Sequence, residues 1–229
     1  PYDMELYHNR ARAPFEPPAT GHARPYGHGN AVAAPKSGGC WWDPEDQVFK
    51  LWYEASWFGP IAMAVSKDGI HWERPEFDIL PGTNIVSPMG ITPDSWTVVP
   101  NWNAENPNDR WTLYVQSPGH PQPAMRLTSP DGIHWKRRAF AGIAGDRTTH
   151  HFNPFRNKWI FSIRAGFHGE GVSERGRARR YYETSDFLED ATWQPEDPVR
   201  WLMADEEDKA DYMIGDRPQL YNFDAVPYE

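Results

Sequence analysis

One seven-residue segment occurs twice in almost the same form, and this repeat restricts the folds open to the chain more than any other feature. SKDGIHW begins at Ser66 and SPDGIHW begins at Ser129, 63 residues later. A turn built from Asp or Asn followed by Pro keeps the same interval, because DPED begins at Asp43 and NPND at Asn106. A third copy of this turn begins at Asn153. Repetition at a fixed interval indicates one structural unit copied along the chain.

Each copy has the local chemistry of short strands joined by tight turns. The segments after the Asx-Pro turns, FKLWYEA and WTLYVQS, have the aromatic and β-branched content of strands. Asx-Pro and Asp-Gly are turn dipeptides, because Pro presets φ and Gly tolerates positive φ. The third copy is degenerate, with Ser185, Asp186 and Trp193 in the places of the Ser, Asp and Trp of SxDGIHW.

The composition favours the same architecture. The chain has 23 Pro in 229 residues, and Pro interrupts helices and central strands. A four-stranded unit that repeats roughly every 60 residues is typical of a β-propeller blade. The sequence therefore predicts an all-β fold of the propeller type, with about 3.6 blades in this chain.

The predicted organisation has an entry segment and four stretches of propeller. Residues 1–30 are predicted to form the entry segment and a closing strand. The blades are predicted at residues 31–80, 81–140 and 141–200, and a fourth blade is predicted to start at 201–229, with an innermost strand over residues 220–229. A closed propeller needs more blades than these. We therefore predict either that the chain is a fragment, or that a second copy or a complementing chain supplies the missing blades.

The repeats resemble those of a known group of enzymes. AMAVSKDGIHWERPEF and SPDGIHWKR resemble the blade-ending hairpins of the five-bladed glycoside hydrolases of the arabinanase-like and invertase-like families 43 and 32. The resemblance covers residues 31–229 and implies a funnel at the propeller axis, where the innermost strands begin and three carboxylates converge. Glycoside cleavage needs one carboxylic acid as proton donor and a second carboxylate as nucleophile or base.

The resemblance directs attention to acids that open innermost strands. Asp94 precedes SWTVV, Asp146 opens DRTTHHF, and Asp224 lies in YNFDAVPYE. We therefore predict these three as the catalytic carboxylates. The alternative for each of them is an Asp–Arg pair or a turn cap.

Five further residues are predicted to bind substrate: Lys36, Trp96, Arg147, His150 and Asp216. Lys36 stands seven residues before Asp43, where the resemblance implies an acid. Arg147 follows Asp146 in a GDR sequence that is similar to the sugar-steadying Arg-Asp-Pro element of invertases in reversed order. Asp216 lies in a second GDR and is the alternative to Asp224 for the acid of the fourth blade. Adjacent strand residues point to opposite faces, so only one of His150 and His151 can face a funnel.

Charge and composition exclude several classes of protein. The net charge of −9 argues against a surface built for nucleic acid, and no apolar run reaches the ~18 residues that a membrane helix needs. A single Cys excludes an intrachain disulfide framework. No metal motif stands out, so we predict no metal site and no cofactor, with a structural Ca²⁺ left open, and the sequence leaves the localisation open as well.

Two functions follow from these observations. The first is a glycoside hydrolase that acts on a poly- or oligosaccharide through carboxylates at the propeller axis. The second is a non-catalytic propeller module that binds glycan or protein, which Lys36 at the first-blade position favours.

Overall fold

A computed structural model describes most of the chain from residue 33 onward. The described residues are 33–55, 59–87, 91–117, 122–166, 176–205, 207–208 and 219–227. They contain twelve strands, one short 3₁₀ turn at Pro107–Asp109 and no α-helix. The predicted all-β class is confirmed. No helix in the described part is long and apolar enough to cross a membrane.

Sheet I is built around one long central strand. Its strands are β1 (Ala33–Ala34), β2 (Cys40–Asp43), β3 (Val48–Ala55) and β4 (Ile61–Ser66). β4 pairs antiparallel with one edge of β3, while β1 and β2 pair with its other edge at successive positions. The residues between β1 and β2 leave this edge, and the backbone N–H of Gly38 donates to the carbonyl of Pro35 at 2.8 Å. This turn carries Lys36.

Sheets II and III have four strands each, and in both of them neighbouring strands in the sheet are also consecutive in the chain. Sheet II contains β5 (Ser95–Pro100), β6 (Trp111–Gln116), β7 (Gln122–Ser129) and β8 (Lys136–Ala144). Sheet III contains β9 (Thr149–Asn153), β10 (Lys158–Gly166), β11 (Arg177–Thr184) and β12 (Val199–Leu202). The structure thus shows three four-stranded sheets in succession.

The Asx-Pro turns predicted from the sequence are confirmed in all three sheets. The side-chain oxygen of the Asx residue accepts a hydrogen bond from the backbone N–H two residues ahead, at 3.0 Å in each case. These residues are Asp43, Asn106 and Asn153. Each turn therefore has a local cause, because the Asx side chain replaces a backbone acceptor.

The Asp turns also repeat, with one correction in the third copy. In each turn the Asp carboxylate accepts from the backbone N–H groups two and three residues ahead, at 2.6–3.2 Å; these residues are Asp68, Asp131 and Asp186. Ser66 and Ser129 accept from the N–H of the Asp two residues later, at 3.3 Å. In the third copy Thr184 does this at 3.2 Å, so the assignment of this place to Ser185 was wrong by one residue.

Two of the predicted blade boundaries fall inside strands. β8 continues past residue 140 to Ala144, and β12 continues past residue 200 to Leu202. Leu202 pairs with Arg179 of β11, so the first residues assigned to a fourth blade belong to sheet III. Residues 219–227, which cover most of the predicted last strand, form no regular strand. The entry segment 1–30 lies outside the described residues.

The chain divides into two compact units, each with an aromatic core. Unit 1 comprises residues 1–94, 98–113 and 127–137, and unit 2 comprises residues 95–97, 114–126 and 138–229. In unit 1 the ring of Trp111 contacts Trp52, with ring centroids 4.9 Å apart, and the Trp52 indole N–H donates to the carbonyl of Gly132 at 3.0 Å. In unit 2, Phe161 and Phe187 stack at 6.1 Å.

Candidate functional site

Lys36 lies in unit 1 within a buried ion pair. Its Nζ is 2.8 Å from Glu54 Oε2 and donates to the backbone carbonyl of Asp94 at 3.1 Å. The Lys36 side chain is 6% exposed and that of Glu54 is fully buried. We call Lys36, Glu54 and Asp94 the Lys36 cluster. Because burial of an uncompensated charge is costly, each member of this ion pair stabilises the charged form of the other.

Glu54 is an acid that the sequence analysis missed. It lies inside β3, in a run of buried residues, and its sequence signal is a charge within a strand that is mostly aromatic and aliphatic. A carboxylate in such a position needs a partner, and an acid in a strand predicted to be buried is therefore a sign of a polar site.

Asp94 and Trp96 stand at the beginning of β5. Asp94 is half-buried and directly precedes the strand, as predicted, while its contact with Lys36 goes through the backbone carbonyl. The Trp96 side chain is 1% exposed, so its indole packs inside the protein. The substrate contact predicted for Trp96 stays a prediction.

Asp146 lies in unit 2, in the turn that leads into β9. Thr148 Oγ1 donates to the carbonyl of Gly145 at 2.8 Å and accepts from the backbone N–H of Arg164 at 3.1 Å. Arg147 has a φ of 59°, in the left-handed region. The turn is therefore held to β10 by hydrogen bonds and fixes where the Asp146 side chain begins.

The Asp146 carboxylate contacts two side chains of unit 2. One oxygen accepts a hydrogen bond from Arg164 Nη2, and the other accepts from the hydroxyl of Tyr221. The Asp146 side chain is 16% exposed. Both contacts stabilise the ionised carboxylate, since one is a charge pair and both are hydrogen bonds to the charged form. Asp146 is thus suited to act as a nucleophile, a base or a sugar anchor.

Arg179 is fully buried and ties the surrounding segments together. Its guanidinium donates to Ser162 Oγ at 2.9 Å and to three backbone carbonyls, those of Ser162 at 2.6 Å, Arg147 at 2.7 Å and Tyr221 at 2.9 Å. Burial lowers the pKa of Arg179 to about 10, and the negative charge of Asp224 opposes this shift. Arg179 remains a cation at neutral pH and connects β10, the Asp146 turn and the segment 219–227.

The segment 219–227 lies across the end of sheet III where β9 and β11 begin. The backbone N–H of Leu220 donates to the carbonyl of Arg177 at 2.9 Å, and Thr149 Oγ1 donates to the carbonyl of Phe223 at 2.7 Å. Asp224 follows directly and is exposed. We call Asp146, Arg147, Arg164, Arg179, Tyr221 and Asp224 the Asp146 cluster.

His150 has the surroundings of a core residue. Its ring stacks on Phe187 at 5.0 Å and on Phe161 at 5.8 Å, and it is 2% exposed. Burial, together with neighbouring His151, lowers the pKa of His150 to about 3, so the ring is neutral at neutral pH. Its neighbour Thr149 points to the segment 219–227 instead, as strand alternation requires.

The structure therefore gathers the predicted site residues into two groups. Lys36 and Asp94 belong to the Lys36 cluster in unit 1, and Asp146, Arg147 and Asp224 belong to the Asp146 cluster in unit 2. The predicted convergence of Asp94 with Asp146 and Asp224 stays a prediction, and Asp216 lies outside the described residues. Among the described residues, no three His, Cys, Asp or Glu side chains are placed to hold a metal ion.

Three side chains of the Asp146 cluster were not among the predicted site residues: Arg164, Arg179 and Tyr221. Arg164 and Arg179 are cross-strand neighbours in the pairing of β10 with β11. Both follow an apolar or small residue in β10 and β11, where an arginine must find acceptors. That placement is the signal that could have identified them.

Comparison of the sequence with models of protein families gives no match, and comparison with curated proteins gives none either.

Proposed function

We propose that this chain is a part of a β-propeller that cleaves glycosidic bonds, with the Asp146 cluster as its reaction site. Three consecutive four-stranded sheets with the same two turns support the propeller arrangement, because each sheet then corresponds to one blade. In this arrangement the innermost strands are β5 in sheet II, β9 in sheet III and, in sheet I, the edge that β1 and β2 form together along β3.

One observation carries the functional proposal. Asp146 lies at the end of sheet III where its first strand begins, with a carboxylate that is partly exposed and is bound by Arg164 and by the hydroxyl of Tyr221. The Arg164 contact by itself is equally expected of a structural Asp–Arg pair, the alternative given above. The partial exposure of the carboxylate and its second contact, with Tyr221, support a role with substrate, because a nucleophile or base in a glycosidase is an accessible carboxylate.

The chemistry can be written with the residues of this cluster. Asp224 is our candidate for the proton donor: in the protonated form that the reaction requires, a carboxyl group gives its proton to the oxygen of the leaving sugar while the bond from the anomeric carbon to that oxygen breaks. The Asp146 carboxylate either attacks the anomeric carbon, or takes a proton from a water molecule that attacks it. The first route retains the anomeric configuration with carboxyl groups ~5 Å apart, and the second inverts it at roughly 6.5–9.5 Å.

A second candidate function is binding of a glycan without cleavage. The specific observation in its favour is the Lys36 cluster, where a lysine neutralises the buried acid Glu54. At this position of sheet I the carboxylate of Glu54 is thus already paired with a cation.

The experiment that separates the two functions is a screen of aryl glycosides and of plant and algal polysaccharides, with product release and binding measured in parallel. We expect released sugars from at least one substrate, and loss of this release in Asp146→Asn. Binding without product from every bound polysaccharide would support the second function. Neither binding nor product across the panel would contradict both.

A further inference from the structure

The Asp146 cluster contains more arginines than carboxylates. Its arginines are Arg147, Arg164 and Arg179, and its carboxylates are Asp146 and Asp224. A fourth arginine, Arg177, lies beside the ring of Tyr221. An anionic ligand bound at this cluster would meet cationic side chains.

Three of the four arginines are already engaged within the described residues. Arg164 pairs with Asp146, and Arg179 makes the four hydrogen bonds given above. Arg177 donates to the side chain of Gln219 at 2.6 Å and lies 4.5 Å from the centroid of the Tyr221 ring. Each of these guanidinium groups has a role in holding the site together.

Arg147 is different, because within the described residues its guanidinium makes no hydrogen bond or ion pair. Its backbone is nevertheless fixed, since its carbonyl accepts from Arg179 Nη2 at 2.7 Å. Its φ of 59° costs about 1 kcal/mol or more for a residue other than glycine. A half-buried cation in a strained, well-anchored turn next to Asp146 is thus available to a ligand.

We propose that Arg147 binds an anionic group on the sugar, either the carboxylate of a uronic acid or a sulfate ester, beside the bond at which Asp146 acts. The position beside that bond rests on the proposed function; the recognition of an acidic sugar does not. The planar guanidinium suits both groups, because its parallel N–H donors match two oxygen atoms of a carboxylate or a sulfate.

The test is a binding measurement on matched pairs of polysaccharides. Polygalacturonate and alginate are compared with their carboxyl-reduced forms, and carrageenan with its desulfated form, by calorimetry at fixed ionic strength. We expect an acidic member to bind about tenfold or more tightly than its neutral partner. The pair that shows the difference identifies the group as a carboxylate or a sulfate.

The variant Arg147→Asn removes the guanidinium and suits the left-handed backbone, since Asn tolerates positive φ. We expect it to abolish the preference for the acidic member, and Arg147→Lys to retain part of it. Arg156→Asn is the matched control, because Arg156 is an exposed arginine of sheet III that pairs with Glu183 instead. It should bind like the wild type.

Equal affinity for acidic and neutral members, or an unchanged preference in Arg147→Asn, would overturn the inference. Measurement of product release in the same samples tests the proposed function independently of this inference. Preferential binding through Arg147 without any cleavage would uphold the inference and contradict hydrolysis. Cleavage that depends on Asp146 without any acidic preference would do the reverse.

Discussion

A buried guanidinium connects the chain segments that form the Asp146 cluster. Arg179 donates to the carbonyl of Arg147, the residue that follows Asp146. It also donates to the carbonyl of Tyr221, whose hydroxyl binds Asp146. If the donor is removed, the buried carbonyl has no hydrogen bond to compensate for the one that it lost to water on folding. The position of Asp146 therefore depends on a residue that does not touch it.

Replacement of Arg179 by Lys should lower the free energy of unfolding by about 2–4 kcal/mol, because an ammonium group cannot reproduce four hydrogen bonds directed by a planar fork. Urea denaturation measures this loss. The control is Arg156→Lys, since Arg156 is exposed and its partners are the side chains of Glu183 and Tyr181. If both variants lose the same free energy, Arg179 does not hold the cluster together.

His150 should make the stability of the fold depend on pH. Its pKa of about 3 in the folded protein lies below the ordinary value of 6.5, so the unfolded chain binds a proton more readily than the folded protein. Its contribution is fully present above pH ~6.5 and is lost as the pH falls toward 3, at roughly 1.4 kcal/mol per pH unit.

The variant His150→Phe keeps an aromatic ring and removes the titrating group. Between pH 7 and pH 5 we expect the wild type to lose about 2 kcal/mol more of its free energy of unfolding than the variant, as measured by urea denaturation at each pH. Equal losses in the two proteins would show that the ring of His150 is not held neutral by the core.

The third Asp turn is packed against sheet II through a tryptophan. The Trp193 indole N–H donates to the carbonyl of Ile143 at 3.0 Å, and a Cβ atom at Gly142 would lie well inside the van der Waals distance of its ring. Gly142 is therefore needed for the close approach of Trp193 to β8.

Substitution Gly142→Ala should cost about 1–3 kcal/mol and change the near-UV circular dichroism, because the Trp193 ring must move. Gly82→Ala is the comparison, since no atom lies within 4 Å of a Cβ at that position and only its φ of 79° is unfavourable. That change should cost about 1 kcal/mol and leave the near-UV spectrum unchanged. An unaltered spectrum in Gly142→Ala would contradict the packing described here.

The turns could be predicted from the sequence because their causes lie within a few residues. The carboxylates of Asp68 and Asp131 bond to backbone groups two and three residues ahead, so the same short sequence produces the same turn. The third copy was misaligned by one residue because Thr and Ser hydroxyls both serve as the acceptor, and Thr184 and Ser185 are adjacent.

The clusters could be predicted only in part. Asp146 was found through its place before a strand, whereas its partner Tyr221 is 75 residues away and carries no local pattern. Lys36 was found through the repeat, but the acid beside it is Glu54 in the middle of β3. Contacts of this kind arise from packing between segments, and strand periodicity does not record them.

At the scale of the whole molecule, the repeat places three of the 23 Pro where they do not interrupt the sheets. The prolines of DPED, NPND and NPFR stand in the Asx turns, where no ladder hydrogen bond is lost. The repeated sheets then supply a scaffold, and residues that differ between the copies are free to form a site. Asp146 and its partners are residues of this kind, which differ between the copies.

The central claim is that the Asp146 carboxylate takes part in glycoside cleavage, and the value of kcat/KM for Asp146→Asn on the substrate found in the screen tests it most directly. We predict a fall of about 10³-fold or more relative to the wild type, with unchanged far-UV circular dichroism and with Arg156→Asn at wild-type activity. A folded Asp146→Asn protein that keeps kcat/KM within about tenfold of the wild type would contradict the claim.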